Sequence, residues 1–382
     1  MAKINQPLMS EKAQGTIAGN LTFSKKKTGQ QVRWQRKQHY TPSASQSDQR
    51  AKYLDAVNLW NSLSQSEKSV FILEAKNLNM SGYNLFLKRF IDGNLENEFI
   101  YIAGAYSTFL GKLGINFLEF VSQNSGVSGN FGGCVSDEEY LYLNNYNNNK
   151  VYKYQKSDLV KVAESPDYGD AIIDIFISVD CIFACGFVTN KVYKYQKSDL
   201  VKVAESPSPY YSMQVMDFDD THVYVATRSV ARIYKYLKSD LSFVSNSSNN
   251  GNVAEVMTSD SDYLYVGQTY NNKVFKTRKS DLVKVAESPD FEGSGNAIFA
   301  DDYYLYYSCA GNGKLKKLDK DDFSVLLESE ALVGTIRTIQ KSDSGDIYIT
   351  TAGGYVYILD DSDFSVKRVS LKYTTDFYGL AF

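Results

Sequence analysis

Tryptophan and histidine are nearly missing from this 382-residue chain, which has two of each. Trp34 and Trp60 both lie early in the chain, so 30 tyrosines and 21 phenylalanines supply the remaining aromatic packing. The histidines are His39 and His222. A Ser-His-Asp set would have to use one of them, and nothing in the sequence marks a nucleophile. Glycine-rich phosphate loops and dinucleotide-binding glycine patterns are absent as well. The chain is therefore expected not to be an enzyme and to carry no cofactor. A carboxylate pair assembled by folding is the one catalytic arrangement these absences leave open. Cysteine is scarce too, with Cys134, Cys181, Cys185 and Cys309 inside or beside apolar runs. Cys181 and Cys185 share a strand face, but no other Cys or His stands near them, so they read as small buried side chains and no metal is expected. No stretch approaches the roughly 18 apolar residues of a membrane span, and the first residues have no apolar signal region. Neither membrane insertion nor secretion by a signal peptide is expected.

What is present is a repeat. Residues 150–166 read KVYKYQKSDLVKVAESP, and residues 191–207 repeat them. Weaker copies begin at Ile233, Lys273, Lys314 and Tyr355. The aspartates Asp158, Asp199, Asp240, Asp281, Asp322 and Asp363 step by 41 residues. A fixed period of this size marks a solenoid, a propeller or an array. Within one copy, AEVMTS, YLYVGQ, KVFKT and LVKVAES (residues 254–288) are short alternating runs divided by SDSD, TYNN and RKSD turns. Four strands of about six residues with four short connections fill one four-stranded blade. Tyr101, Tyr142, Phe183, Tyr224, Tyr265, Tyr306 and Tyr348 recur in the second-strand slot. They are expected to pack between blades. Glu139, Asp180 and Asp262 share one slot and read as turn formers.

The ends are complementary. EFIYIAG (98–104) opens at a second strand, and the final stretch from Tyr378 to Phe382 is a first strand with nothing after it. Pairing them gives seven blades, with the C-terminal strand closing the first and no exposed edge left between the ends of the ring. Fourth strands remain as outer edges and carry Lys161, Lys202 and Lys284, which resist pairing with other chains. The fold class is therefore mainly β, a seven-bladed propeller over residues 94–382 preceded by a small α+β module. SDYLYVGQTYNNKVFK (261–276) and SGDIYITTAGGYVYILD (344–360) resemble seven-bladed propellers of the NHL and YVTN type. That resemblance implies fold, not function. No Trp falls in the repeats, which excludes WD and sialidase signatures, and regular Gly-Gly pairs of kelch repeats are also missing.

Charge changes near residue 93. Residues 1–93 hold 14 Lys and Arg against 6 Asp and Glu, net +8, so the remainder carries −11 of the total −3. The first segment reads as a hairpin (15–36) and three helices (44–63, 65–78 and 81–91), with Ser64 and Glu67 forming a capping box. Lys25, Lys26, Lys27, Arg33, Arg36 and Lys37 form its basic patch. LWNSLSQSEKSVFILEAK (59–76) and SGYNLFLKRF (81–90) each resemble a piece of an HMG box, in reversed order relative to that family. The segment INQPLMSEKAQGTIAGNLTFSKKKTGQQVR (4–33), the Gln49-Arg50 helix, WNSLSQSEK and GYNLFLK together resemble a recurrent type of phage and prophage protein. That resemblance implies a virion-associated role and an anchoring module.

One propeller face collects the loops joining fourth to first and second to third strands, and these loops vary from copy to copy. The opposite face is built from the repeated QKSD and SD turns. Tyr, Asn, Ser and Gly dominate the variable face, the mixture used for adaptable recognition. The expected ligand-binding residues are Tyr146, Asn147, Tyr168, Tyr210, Tyr211, Tyr270, Asn271, Phe291 and Phe377, the last beside Tyr378. The leading expectation is a phage virion structural protein, on capsid or tail. Residues 1–93 would hold other virion proteins, and the propeller would bind a host-surface glycan or protein as a decoration or attachment head. It would be multicopy or homo-oligomeric, with nucleic acid not a partner. The alternatives are a cellular interaction scaffold, which would be cytoplasmic, and a glycan-active propeller enzyme.

Overall fold

Alternating apolar and polar residues, cut every four to six positions by Asn, Asp, Ser or Gly, favour short antiparallel strands. The computed structural model describes residues 15–17, 21–26, 29–34, 44–62, 68, 72, 75, 80–91, 99–104, 110–114 and 119–124. It also describes residues 130–382 apart from 168, 210, 230, 252, 343–344, 371 and 374–376. The chain divides into two compact units, residues 1–96 and 97–382.

In the first unit, strands Gly15–Ile17, Leu21–Lys26 and Gly29–Trp34 form an antiparallel sheet. The expected hairpin thus gains a short third strand. Helix Ala44–Ser62 packs on helix Gly82–Ile91, where Trp60 meets Tyr83 and Phe86 at ring distances of 5.6 and 5.2 Å. Ser81 starts the second of these helices, its hydroxyl accepting from the Asn84 amide at 3.1 Å. The expected helix 65–78 and its capping box fall mostly outside the described residues, although positions 68, 72 and 75 are helical.

In the second unit, the described strands form seven four-stranded antiparallel sheets. Blade three is typical: Ile172–Ile177 innermost, then Cys181–Gly186, Val192–Gln196 and, outermost, Lys202–Glu205. Each innermost strand lies beside that of the next blade. The C-terminal strand Phe377–Ala381 pairs with Phe99–Gly104 and completes the first blade. It also neighbours the innermost strands Phe131–Ser136 and Ile336–Lys341, so the ring is closed. The core sits between blades. Phe183 of blade three, for example, clusters with Met213, Met216 and Val223 of blade four.

Three repeated polar devices lock the blades. In the first, an aspartate closes the turn between first and second strands. Asp219 accepts from the amides of Thr221 and His222, both at 2.8 Å, and from the Tyr224 hydroxyl at 2.7 Å. Asp137, Asp260 and Asp301 repeat this with Tyr142, Tyr265 and Tyr306. These caps lie two residues before the slot of Glu139 and Asp262, whose side chains are exposed. Blade three has Ser178 in place of the aspartate and Phe183 in place of the tyrosine, so acceptor and donor are lost together. In the second device, a third-strand lysine crosses to the next blade and donates to a turn carbonyl. Lys153 reaches Lys197 O at 2.8 Å, Lys235 reaches Lys279 O at 2.9 Å, and Lys276 reaches Lys320 O at 3.0 Å. In the third, the serine that follows the outer strand of blades two to seven is buried and accepts an amide from the third strand of its own blade. The Val192 amide donates to Ser206 Oγ at 2.9 Å.

Candidate functional site

The innermost strand of every blade starts with a β-bulge. Register shifts between Phe131 and Gly133, Ile172 and Asp174, Met213 and Val215, and Ala254 and Val256. The same shift lies between Gly295 and Ala297, Ile336 and Thr338, and Phe377 and Gly379. A bulge leaves one residue out of the ladder and re-aims it. The residues so released are Gly132, Ile173, Gln214, Glu255, Asn296 and Arg337, with Tyr378 as the seventh. The first six line one cavity of about 540 Å³ at the ring axis, on the variable face. Tyr146, Phe187 and Arg228 join them from the loops after the second strands.

The cavity combines charges of both signs with amides. Arg337 Nη1 donates to Asn296 Oδ1 at 3.4 Å, and Thr269 Oγ1 donates to Glu255 Oε2 at 3.2 Å. The exposed Arg228 guanidinium lies 5.7 Å from the centre of the Phe187 ring, and its amide bonds Ser212 O at 2.8 Å. Asp174 lies deeper. Its carboxylate accepts from the amides of Ile175 and Met216, both at 2.9 Å. Burial pushes it up to about 7, against the downward pull of those amides, and the nearby Asp217 adds to the rise. Asp217 faces a separate chamber of about 290 Å³ toward the other face, with Thr258, Gln340 and Lys341. Burial lifts it to about 6. The axis thus holds three carboxylates: Asp174 and Glu255 line the axial cavity, and Asp217 faces the other chamber.

Of the expected ligand residues, Tyr146 lines the axial cavity and is 41% exposed. Asn147 sits on an exposed turn that Asn145 closes, and Tyr270 is 76% exposed. Tyr211 lies under the Arg232 guanidinium, and Asn271 donates to Gln268 Oε1 at 2.6 Å. Phe291 and Phe377 do not belong to a ligand surface. Phe291 packs on Tyr307 at 5.4 Å and is buried. Phe377 opens the innermost closing strand and is fully buried, in the slot that Ile336 fills one blade earlier. Tyr168 and Tyr210 lie outside the described residues. In the first unit, Lys25 and Lys26 fall on strand Leu21–Lys26 and Arg33 on Gly29–Trp34, while Lys27, Arg36 and Lys37 lie outside the described residues. The axial Gln214, Glu255, Asn296 and Arg337 were not among the expected residues. Their signal was one repeat position that differs in every copy.

A larger groove, about 660 Å³, opens on the uniform face between blades three and four, beside Asp180, Cys181 and Lys194. Its Lys194 ammonium is already engaged by Lys238 O at 3.0 Å and Ser239 O at 2.7 Å. The rest of its wall is repeated turn and strand, so the axial cavity is the stronger candidate.

No family model matches the chain, and no curated protein matches it. Solved structures that share the fold are numerous, at 1605 matching chains, so the fold by itself selects no function. One is the crystal structure of the computationally designed Ika8 protein, 10% identical, with a TM-score of 0.61 over 75% of this chain and 88% of that one. At that identity the likeness is one of fold alone.

Proposed function

We propose that this protein is a non-catalytic recognition head of a phage-type virion. Its basic N-terminal module is seated on other virion proteins, and the axial mouth of its propeller is presented to a host-surface glycan or protein. One observation carries the reading. The residues that build the blades repeat at 41-residue spacing, whereas the bulge residue at the axis is different in all seven blades. Like frames around a non-repeating and largely polar ring are what a binding site needs, and a purely structural disc has no use for them. The NHL- and YVTN-like blade sequences and the phage-like pattern of residues 4–88 belong to the same reading. The non-catalytic reading is supported by the lining of the axial cavity, which includes no serine, cysteine or histidine among the described residues.

Two measurements test it. Protein mass spectrometry of purified particles is expected to find the chain as a multicopy component, and its absence there rejects the virion role. The full chain is expected to bind intact host cells saturably, and binding that is absent rejects the recognition role.

A further inference from the structure

We propose that the axial mouth binds a saccharide bearing a single carboxylate, such as a uronic acid residue, with Arg337 and Arg228 taking the carboxylate and Glu255, Gln214 and Asn296 the hydroxyls. The assignment deepens the recognition reading and rests on it only for the choice of face.

Charge is the first argument. Residues 94–382 carry net −11, yet two guanidinium groups stand at this mouth beside the half-buried carboxylate of Glu255. A planar guanidinium fork matches a carboxylate in a bidentate pair. Glu255 shares the cavity, and its charge opposes a dianion more than a monoanion, so phosphate monoesters fit poorly. The surrounding negative domain opposes nucleic acid for the same reason. Hydrogen-bond chemistry is the second argument. Glu255 offers only acceptors, while Gln214 and Asn296 offer both donors and acceptors, the set that vicinal hydroxyls satisfy. Shape is the third. A volume of about 540 Å³ suits a small ligand, and Tyr146 and Phe187 set aromatic faces at the rim for the apolar side of a pyranose ring. Asp174, lifted by burial to about 7, adds little negative charge below neutral pH.

The test is calorimetric titration of the full chain with methyl glucuronide and with methyl glucoside, its neutral counterpart. The glucuronide is expected to bind about tenfold tighter, the size of one charge-assisted hydrogen bond. Arg337→Gln and Arg228→Gln are each expected to reduce that preference about tenfold, and Arg228, being exposed, is the variant least able to disturb folding. Equal binding of the two sugars overturns the proposal, as does a glucuronide affinity that neither arginine variant changes. Host-cell binding without glucuronide binding removes this ligand and leaves the recognition head standing. Glucuronide binding without host-cell binding leaves the site standing and removes the head.

Discussion

Leu200 is fully buried with a φ of +60°, a backbone region that costs an L-residue about 1 kcal/mol. Leu159, Leu241, Leu282, Phe323 and Phe364 occupy the same turn position at φ +58° to +61°. Each aspartate just before them closes the turn; Asp199, for instance, accepts from the Val201 amide at 3.1 Å. Glycine would suit the backbone, but only a large apolar side chain fills the core beneath. The usual order of substitutions should therefore invert. Leu200→Ala loses the packing, about 2–4 kcal/mol, and keeps the backbone cost, whereas Leu200→Gly loses the packing and sheds that cost. Urea unfolding is expected to show the Gly variant about 1 kcal/mol more stable than the Ala variant; the reverse order would refute this account. Asp174 makes a second prediction at this scale. Its pKa rises from the unfolded value near 4 to about 7, so the native state binds more protons than the unfolded state between those limits. Its contribution to stability therefore falls as pH rises through that window. Asp174→Asn should flatten the slope of unfolding free energy between about pH 4 and 7, and an unchanged slope would show that the carboxyl is not buried in the folded protein.

Between blades, the lysine crossings give the repeat its polar uniformity, and the junction of blades six and seven carries a reversed charge. Lys197 meets Asp137 at 2.8 Å, and Lys320 meets Asp260 at 3.0 Å, each reaching from a turn of the following blade. In blade seven that turn position is Asp361, a reversal of charge. The cation comes instead from Lys341 on the innermost strand, 2.6 Å from Asp301 and 2.7 Å from Asp361, with the Tyr306 hydroxyl at 3.0 Å. Burial pulls the Lys341 ammonium down, and the two carboxylates more than offset it. Lys341→Gln leaves Asp301 without its cation, while Asp361 keeps Lys317 at 3.0 Å, and is expected to cost about 2 kcal/mol. Adding Asp361→Lys restores the arrangement seen at Asp137 and Asp260 and should recover at least half of that. A double-mutant cycle with no coupling would sink this account. None of these crossings was legible in the sequence. Blade strands follow from local alternation, and the second-strand tyrosines show themselves by spacing. A lysine whose partner is a backbone carbonyl 44 residues onward carries no such mark, because every residue has a carbonyl. The axial ring was hidden for a related reason. Which residue a bulge releases depends on register between strands, and the sequence displays only that one position varies. Tyr146 and Tyr270 were readable as exposed because they sit in turns, while Phe291 and Phe377 misled because aromatic residues in loop-like sequence can still plug a core.

At the scale of the whole ring, closure depends on six residues. Phe377 is fully buried, Leu380 is 2% exposed, and Gln340 Nε2 donates to Leu380 O at 2.7 Å across the junction with blade seven. Tyr348 meets the Phe382 ring edge-on at 4.8 Å, and on the other side Lys156 Nζ donates to Phe382 O at 2.6 Å. The terminal strand thus bonds to the blades on both sides as well as to Phe99–Gly104. Removing residues 373–382 takes away two large buried side chains, about 1.5–3 kcal/mol each, together with one strand ladder. It also exposes strand Phe99–Gly104 as an edge open to pairing with other chains. Because each blade packs only on its neighbours, a gap at one junction leaves two blades short of a partner. The truncated chain is expected to lose its folded monomer peak in size-exclusion chromatography and to melt well below the full chain. A synthetic peptide of residues 373–382, added in excess, should bind and raise the melting temperature, since it replaces the missing strand without altering the rest. A truncated chain that stays monomeric and melts within a few degrees of the full chain would show that the ring holds without this strand, and closure would then not be what stabilises it.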